Sequence, residues 1–106
     1  MKLLTEELIK RFAEIGLQSN DPDPIVVAKF FNPVGAGTWY ATEYLPEEKA
    51  FFGYVSIFGG RENEWGYFSL DELESYRGPL GLGIERDLYF TERRISQIEP
   101  RAALYL

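Results

Sequence analysis

Residues 38–58 read TWYATEYLPEEKAFFGYVSIF, and this stretch decides the fold of the chain. Aromatic and β-branched residues dominate residues 38–45 and 50–58, which favours two strands. The residues between them, Pro46-Glu47-Glu48-Lys49, are typical of a surface turn, because proline presets the turn dihedral and charged side chains are solvated. The sequence therefore predicts an antiparallel hairpin. The expected pairs are Leu45 with Ala50, Glu43 with Phe52, Ala41 with Tyr54, and Trp39 with Ser56.

Regular alternation along this hairpin divides its side chains between two faces of a sheet. One face is predicted to carry Tyr40, Thr42, Tyr44, Phe51, Val55 and Ile57. The other is predicted to carry Trp39, Ala41, Glu43, Phe52, Tyr54, Ser56 and Phe58. We expect Tyr40, Tyr44, Phe51 and Val55 to lie beneath helices. We expect the opposite face to be partly accessible, or covered by the C-terminal tail or a second copy of the chain.

The flanking sequence predicts further short elements. A helix is expected over residues 5–15, with Thr5 as N-cap, and a second helix from the Ser69 N-cap to about Arg77. Strands are expected at residues 25–31, 65–68 and 84–90, and a last short helix at residues 91–98. Together these elements predict an α+β fold in one domain over residues 1–106. Its antiparallel sheet would have four to five strands, with two or three short helices.

The composition excludes several classes of function. The chain has 106 residues, a net charge of −6, no cysteine and no histidine. Disulfides, thiolate chemistry, histidine metal ligands and a Ser-His-Asp triad are therefore excluded within it. The acidity disfavours direct binding of nucleic acid or of an anionic membrane. The start of the chain has no signal-peptide pattern, so we expect a cytoplasmic location.

Several segments resemble a known family. They are Gly66-Tyr67-Phe68-Ser69-Leu70-Asp71-Glu72-Leu73-Glu74, residues 77–82 and 84–88, Lys29-Phe30-Phe31, Trp39-Tyr40-Ala41-Thr42-Glu43, and Phe51-Phe52-Gly53. They are similar to the bacterial family named domain of unknown function 2958, over most of the chain. The resemblance implies bacterial origin and frequent carriage on plasmids and other mobile elements. It implies no activity, cofactor or catalytic residue.

Five residues are candidates for a ligand or partner site: Trp39, Glu43, Tyr54, Arg77 and Arg86. Glu43 comes first, because a carboxylate in mid-strand among large apolar side chains needs a partner. That partner is predicted to be Arg77 or Arg86, while a ligand-binding or acid–base role and simple solvent exposure are alternatives. Glu85 and Asp87 would share a strand face, but an exposed strand edge accounts for this pattern better than a metal site does. The sequence predicts no metal and no cofactor.

Three hypotheses for function follow. The first is a non-enzymatic interaction module that binds another protein through an aromatic sheet face, because aromatic residues are enriched at interface hot spots. A homodimer is an alternative form of the same hypothesis. The second is an acidic accessory factor of a mobile element that inhibits a host nucleic-acid enzyme. The third is a small enzyme that works with carboxylate, tyrosine and arginine side chains alone.

Overall fold

The computed structural model describes residues 2–57 and 62–103. Its helices are α1 (Glu6–Ile15) and α2 (Leu70–Ser75). Its strands are β1 (Ile25–Val26), β2 (Ala28–Phe31), β3 (Thr38–Leu45), β4 (Ala50–Ser56), β5 (Glu64–Ser69), β6 (Glu85–Arg86) and β7 (Arg93–Arg94). Short 3-10 turns cover Pro79–Gly81, Ile95–Gln97 and Pro100–Ala102.

Antiparallel pairing joins five strands in the order β5-β4-β3-β2-β6, and β1 pairs with β7 in a separate two-stranded sheet. The predicted α+β class and the predicted strand number are thus confirmed. The two predicted N-caps are also present: the Thr5 hydroxyl accepts the Leu8 N–H, and the Ser69 hydroxyl accepts the Glu72 N–H. Each cap satisfies an amide that has no partner within its helix.

The central hairpin contains a β-bulge at Thr42. Leu45 pairs with Ala50 and Glu43 with Phe52, as predicted, but Ala41 pairs with Gly53 and Trp39 with Val55. The predicted pairs Ala41–Tyr54 and Trp39–Ser56 are therefore wrong. A bulge inserts one unpaired residue into a strand, so every side chain on the far side of it changes face relative to a regular strand.

The bulge changes which side chains lie beneath the helices. The buried cluster on that face contains Leu3, Leu4, Phe12, Val27, Ala28, Phe30, Ala41, Phe51, Leu73 and Ile84, with Trp39 and Tyr44 packed against it. Tyr44, Phe51 and Val55 lie on this face as predicted, Val55 as the pairing partner of Trp39. Trp39 was predicted on the opposite face, and this was wrong, because the bulge separates it from Glu43.

The C-terminal segment covers part of the opposite face. Ile95, Ala102 and Ala103 form a buried cluster there with Val26 and Tyr54. Tyr40 packs against this second cluster, so its predicted place beneath the helices was wrong. Of the coverings that the sequence left open, the C-terminal segment is the one present over Tyr54.

Three predicted elements are corrected. Residues 25–31 form two strands instead of one, because Ile25–Val26 pairs with β7 in the small sheet whereas Ala28–Phe31 pairs with β3 and β6. Only Glu85–Arg86 of the predicted strand 84–90 is a strand, because the Asp87 side chain accepts the Tyr89 N–H and turns the chain. The predicted helix over residues 91–98 is also wrong, because Arg93–Arg94 form strand β7 and only Ile95–Gln97 form a single 3-10 turn.

In place of the predicted helix, the segment after Phe90 contains β7, which pairs with β1. Ile25 pairs with Arg94, and the Ile95 N–H donates to the Pro24 carbonyl. The Asp23 carboxylate accepts both the Ser96 N–H and the Ser96 hydroxyl, across a sequence separation of 73 residues. The predicted strand over residues 50–58 ends at Ser56 in the structure, and Phe58 lies outside the described residues.

Substitution of Gly53 tests how closely β3 and β4 approach each other beside the bulge. A Cβ at this position would overlap the backbone carbonyl of Tyr40, so we expect Gly53→Ala to lower the free energy of unfolding by about 2–3 kcal/mol. Gly66, its pairing partner on β5, has open space around the same atom and provides a matched control. Gly66→Ala should change stability by about 0.5 kcal/mol or less in urea unfolding. Equal effects of the two substitutions would contradict the tight packing at Gly53.

Candidate functional site

Glu43 is the first residue of β3 to pair with β4 beyond the bulge, and it is buried, with 6% of its surface exposed. Its Oε2 accepts the backbone N–H of Gln18 at 2.7 Å. No ion pair between described residues includes Glu43, so the predicted pairing with Arg77 or Arg86 was wrong. The segment that follows α1 supplies the hydrogen bond that a buried carboxylate needs.

Gln18 is the polar centre of this region, and sequence reasoning missed it. Its Nε2 donates to the carbonyls of Ile25 and Thr42, each at 2.8 Å, and its Oε1 accepts the Ile25 N–H at 2.8 Å. The Thr42 carbonyl belongs to the bulge, where the regular ladder is interrupted. Nothing in the sequence near Gln18 distinguishes it from a solvated loop residue, because its hydrogen-bonding partners lie on β1 and on β3, which is remote in sequence.

Two cross-strand rows of side chains follow from the observed register. Glu43, Phe52 and Tyr67 form the first row, and Tyr40, Tyr54 and Trp65 form the second. Phe52 stacks on Trp65 with ring centroids 5.9 Å apart, and Tyr67 meets Phe52 edge-on at 4.8 Å. These separations suit favourable aromatic pairs.

The C-terminal segment covers the two rows unequally. Tyr54, in the second row, is buried against Ile95, Ala102 and Ala103 of this segment. The Trp65 indole N–H donates to the Ala102 carbonyl at 3.0 Å. Tyr67, at the end of the other row, is 70% exposed. The first row is therefore accessible at its Tyr67 end, at the edge of the sheet, and buried at its Glu43 end.

A small pocket of about 170 Å³ lies where the first row meets the segment after α1. It is lined by Gln18, Ser19, Asp21, Pro24, Thr42, Glu43, Phe52 and Trp65. Only one oxygen of Glu43 accepts a hydrogen bond from the described residues. The pocket thus combines aromatic rings with a carboxylate that retains free acceptor capacity.

The other four predicted site residues lie elsewhere or contribute differently. Tyr54 neighbours the pocket through its edge-on contact with Trp65, at 5.4 Å. Trp39 lies on the opposite sheet face. Arg77 donates to the carbonyls of Glu74 and Tyr76 at the end of α2, and Arg86 donates to the carbonyls of Lys2 and Leu3. The five residues therefore do not form one site.

A larger groove, of about 360 Å³, runs between α1 and residues 86–92. The arginine side chains that line this groove make contacts within the chain. Arg11 donates two hydrogen bonds to the Glu92 carboxylate, and Arg86 donates to the carbonyls of Lys2 and Leu3. Glu85 and Asp87 are the two acidic residues whose spacing is a weak indication of a metal site. The Lys29 Nζ lies 3.5 Å from Oδ2 of Asp87. Among the described residues, no three acidic side chains come together as a metal site would require.

The surroundings of Tyr40 favour the neutral form of its side chain. Burial raises the pKa of its hydroxyl, and the carboxylates of Glu99 and Asp87 raise that pKa further. The neutral form of Tyr40 is therefore favoured at neutral pH. This arrangement supports packing more than proton abstraction.

Removing the Gln18 amide tests whether it holds the bulge. We expect Gln18→Met, which keeps the length of the side chain, to lower the free energy of unfolding by about 2–4 kcal/mol, because backbone groups of Thr42 and Ile25 lose their partners. Gln97→Met is the control, because Gln97 accepts a single exposed hydrogen bond from Arg94. It should cost about 1 kcal/mol or less. If both variants unfold at the same urea concentration, Gln18 has no special role.

Comparisons with known proteins place the chain in a family without identifying its activity. Within the described part of the chain, no helix is long and apolar enough to cross a membrane. No curated protein and no solved structure matches the chain. The model of one family, described as "Protein of unknown function (DUF2958)", matches residues 3–103. The predicted resemblance is thereby confirmed, and the chain belongs to this family.

Proposed function

We propose that the chain is a non-enzymatic interaction module that binds another protein through the aromatic surface of β4 and β5. We define this aromatic surface as Phe52, Trp65 and Tyr67. The observation that carries the proposal is the 70% exposure of Tyr67 beside two rings that are only partly buried. A large ring that already packs against its neighbours loses little conformational entropy when a partner covers it.

The position of the aromatic surface supports this function. Among the strands that the structure describes, β5 is the outer one, so the surface ends at a sheet edge that a second protein can approach. Tyrosine and tryptophan suit such a place, because each has an apolar ring with one polar atom. They are also the residues that most often dominate binding energy at interfaces.

The two alternative functions have less support. An inhibitor of a nucleic-acid enzyme needs a continuous acidic ridge, but Asp21, Asp87 and Glu92 are each paired with a cation. An enzyme needs acid, base and binding groups that converge, but Glu43 lies apart from Arg77 and Arg86. We extend the proposal to the cytoplasm of a bacterial cell, where members of the family are expected on mobile elements.

Substitution of Tyr67 tests the aromatic surface. The immobilised chain and its Tyr67→Ala variant would be incubated with bacterial lysate, and retained proteins would be quantified by mass spectrometry. We expect at least one retained protein to fall about tenfold or more with the variant, because removal of a hot-spot ring costs about 2 kcal/mol or more. Tyr89→Ala is the matched control, because Tyr89 is 94% exposed and lies outside the aromatic surface.

The control defines the outcomes. A protein lost with Tyr67→Ala but retained with Tyr89→Ala supports the proposal, provided that both variants keep the thermal midpoint of the parent chain. Equal losses, or none, would count against the aromatic surface. Self-association that depends on Tyr67, measured by light scattering, would make the partner a second copy of the chain.

A further inference from the structure

We infer that the pocket beside the aromatic surface takes the cationic side chain of an arginine or lysine from the partner protein. This inference rests on the proposed function, since it assigns the chemistry of one contact within that interface. It concerns the pocket lined by Glu43, Phe52 and Trp65, and its essential group is the Glu43 carboxylate.

The first argument is the incomplete hydrogen bonding of Glu43. Glu43 is only 6% exposed, yet among the described residues only its Oε2 accepts a bond, from the Gln18 N–H at 2.7 Å. An ionised carboxylate has about four acceptor positions on its two oxygens. A donor that enters the pocket would satisfy acceptor capacity that the described residues leave unused.

The second argument is the nature of the walls. Phe52 and Trp65 line the pocket as a stacked pair, with their ring planes 14° apart. Cations are attracted to the faces of aromatic rings, and tryptophan gives the strongest such attraction. The aliphatic stem of arginine or lysine also packs well on rings while its charged end reaches a polar group. A neutral apolar group would gain from the rings but would leave the carboxylate without its donor.

The third argument is the sign of the charge. Asp21 also lines the pocket, but Arg94 already neutralises it with Nη1 2.7 Å from Oδ2. Glu43 is therefore the carboxylate of this pocket that no cation of the described residues pairs with. The net charge of −6 further favours the approach of a positively charged group and disfavours an anion.

The two tryptophans provide a direct test in the unmodified chain. N-acetyl-arginine amide and N-acetyl-lysine amide would be titrated into the ¹⁵N-labelled chain, with N-acetyl-citrulline amide as the neutral control. We expect the Trp65 indole and Gln18 backbone resonances to shift saturably with one or both cations, in the millimolar range that a single side chain provides. Trp39 lies on the opposite sheet face, so its indole resonance should not shift.

Glu43→Gln tests the carboxylate itself, because glutamine can still accept the Gln18 N–H through its amide oxygen. We expect at least fivefold weaker binding of the cation, whereas Glu47→Gln, in the exposed β3–β4 turn, should bind as the parent chain does. Shifts that are equal for citrulline and arginine, or absent from Trp65, would overturn the inference. If partner capture still depends on Tyr67 in that case, the proposed function stands and only the cationic contact fails.

Discussion

The hydrogen bond from the Gln18 amide to the Thr42 carbonyl is the constraint on which the sheet depends. A bulge leaves a backbone group without its ladder partner, and such a group is costly when it is buried. Gln18 supplies the missing donor and, through Ile25, ties the same point to the start of β1. The irregular residue thus becomes the junction of three segments: the end of α1, the first strand and the central hairpin.

The two faces of the sheet acquire their different roles from this junction. In front of the bulge, Trp39 and Ala41 point toward the helices and complete the larger buried cluster. Beyond it, Glu43 points toward the other face, in line with Phe52 and Tyr67. A regular strand would have placed Glu43 with Trp39 and Ala41 beneath the helices, where a carboxylate would be expensive to bury. The bulge therefore removes a charge from the main core and places it beside the accessible rings.

Local signals in the sequence predicted the local structure. The caps at Thr5 and Ser69, the Pro46–Lys49 turn and both strands of the hairpin are consequences of residues within a few positions of each other. The bulge at Thr42 could not be predicted in this way, since its cost is offset by Gln18, a residue remote in sequence. The same applies to residues 91–98: their intrinsic preference suggested a helix, but pairing of Arg93 and Arg94 with β1 prevails. Glu43 was recognised from its apolar neighbours, whereas its true hydrogen-bonding partner was not.

The pair of hydrogen bonds from Ser96 to the Asp23 carboxylate has a consequence for the order of folding. It joins residues 73 positions apart in a chain of 106, so the loop that it closes takes up about two-thirds of the chain, and closing it costs more entropy than closing a hairpin does. The β3–β4 hairpin closes a far shorter loop and can form early. We therefore expect the C-terminal segment to dock late, on a sheet that already exists, and to be among the first parts to detach under mild denaturant. Its detachment uncovers Tyr54 and Trp65, which enlarges the apolar surface next to Phe52 while the helical side of the sheet stays intact.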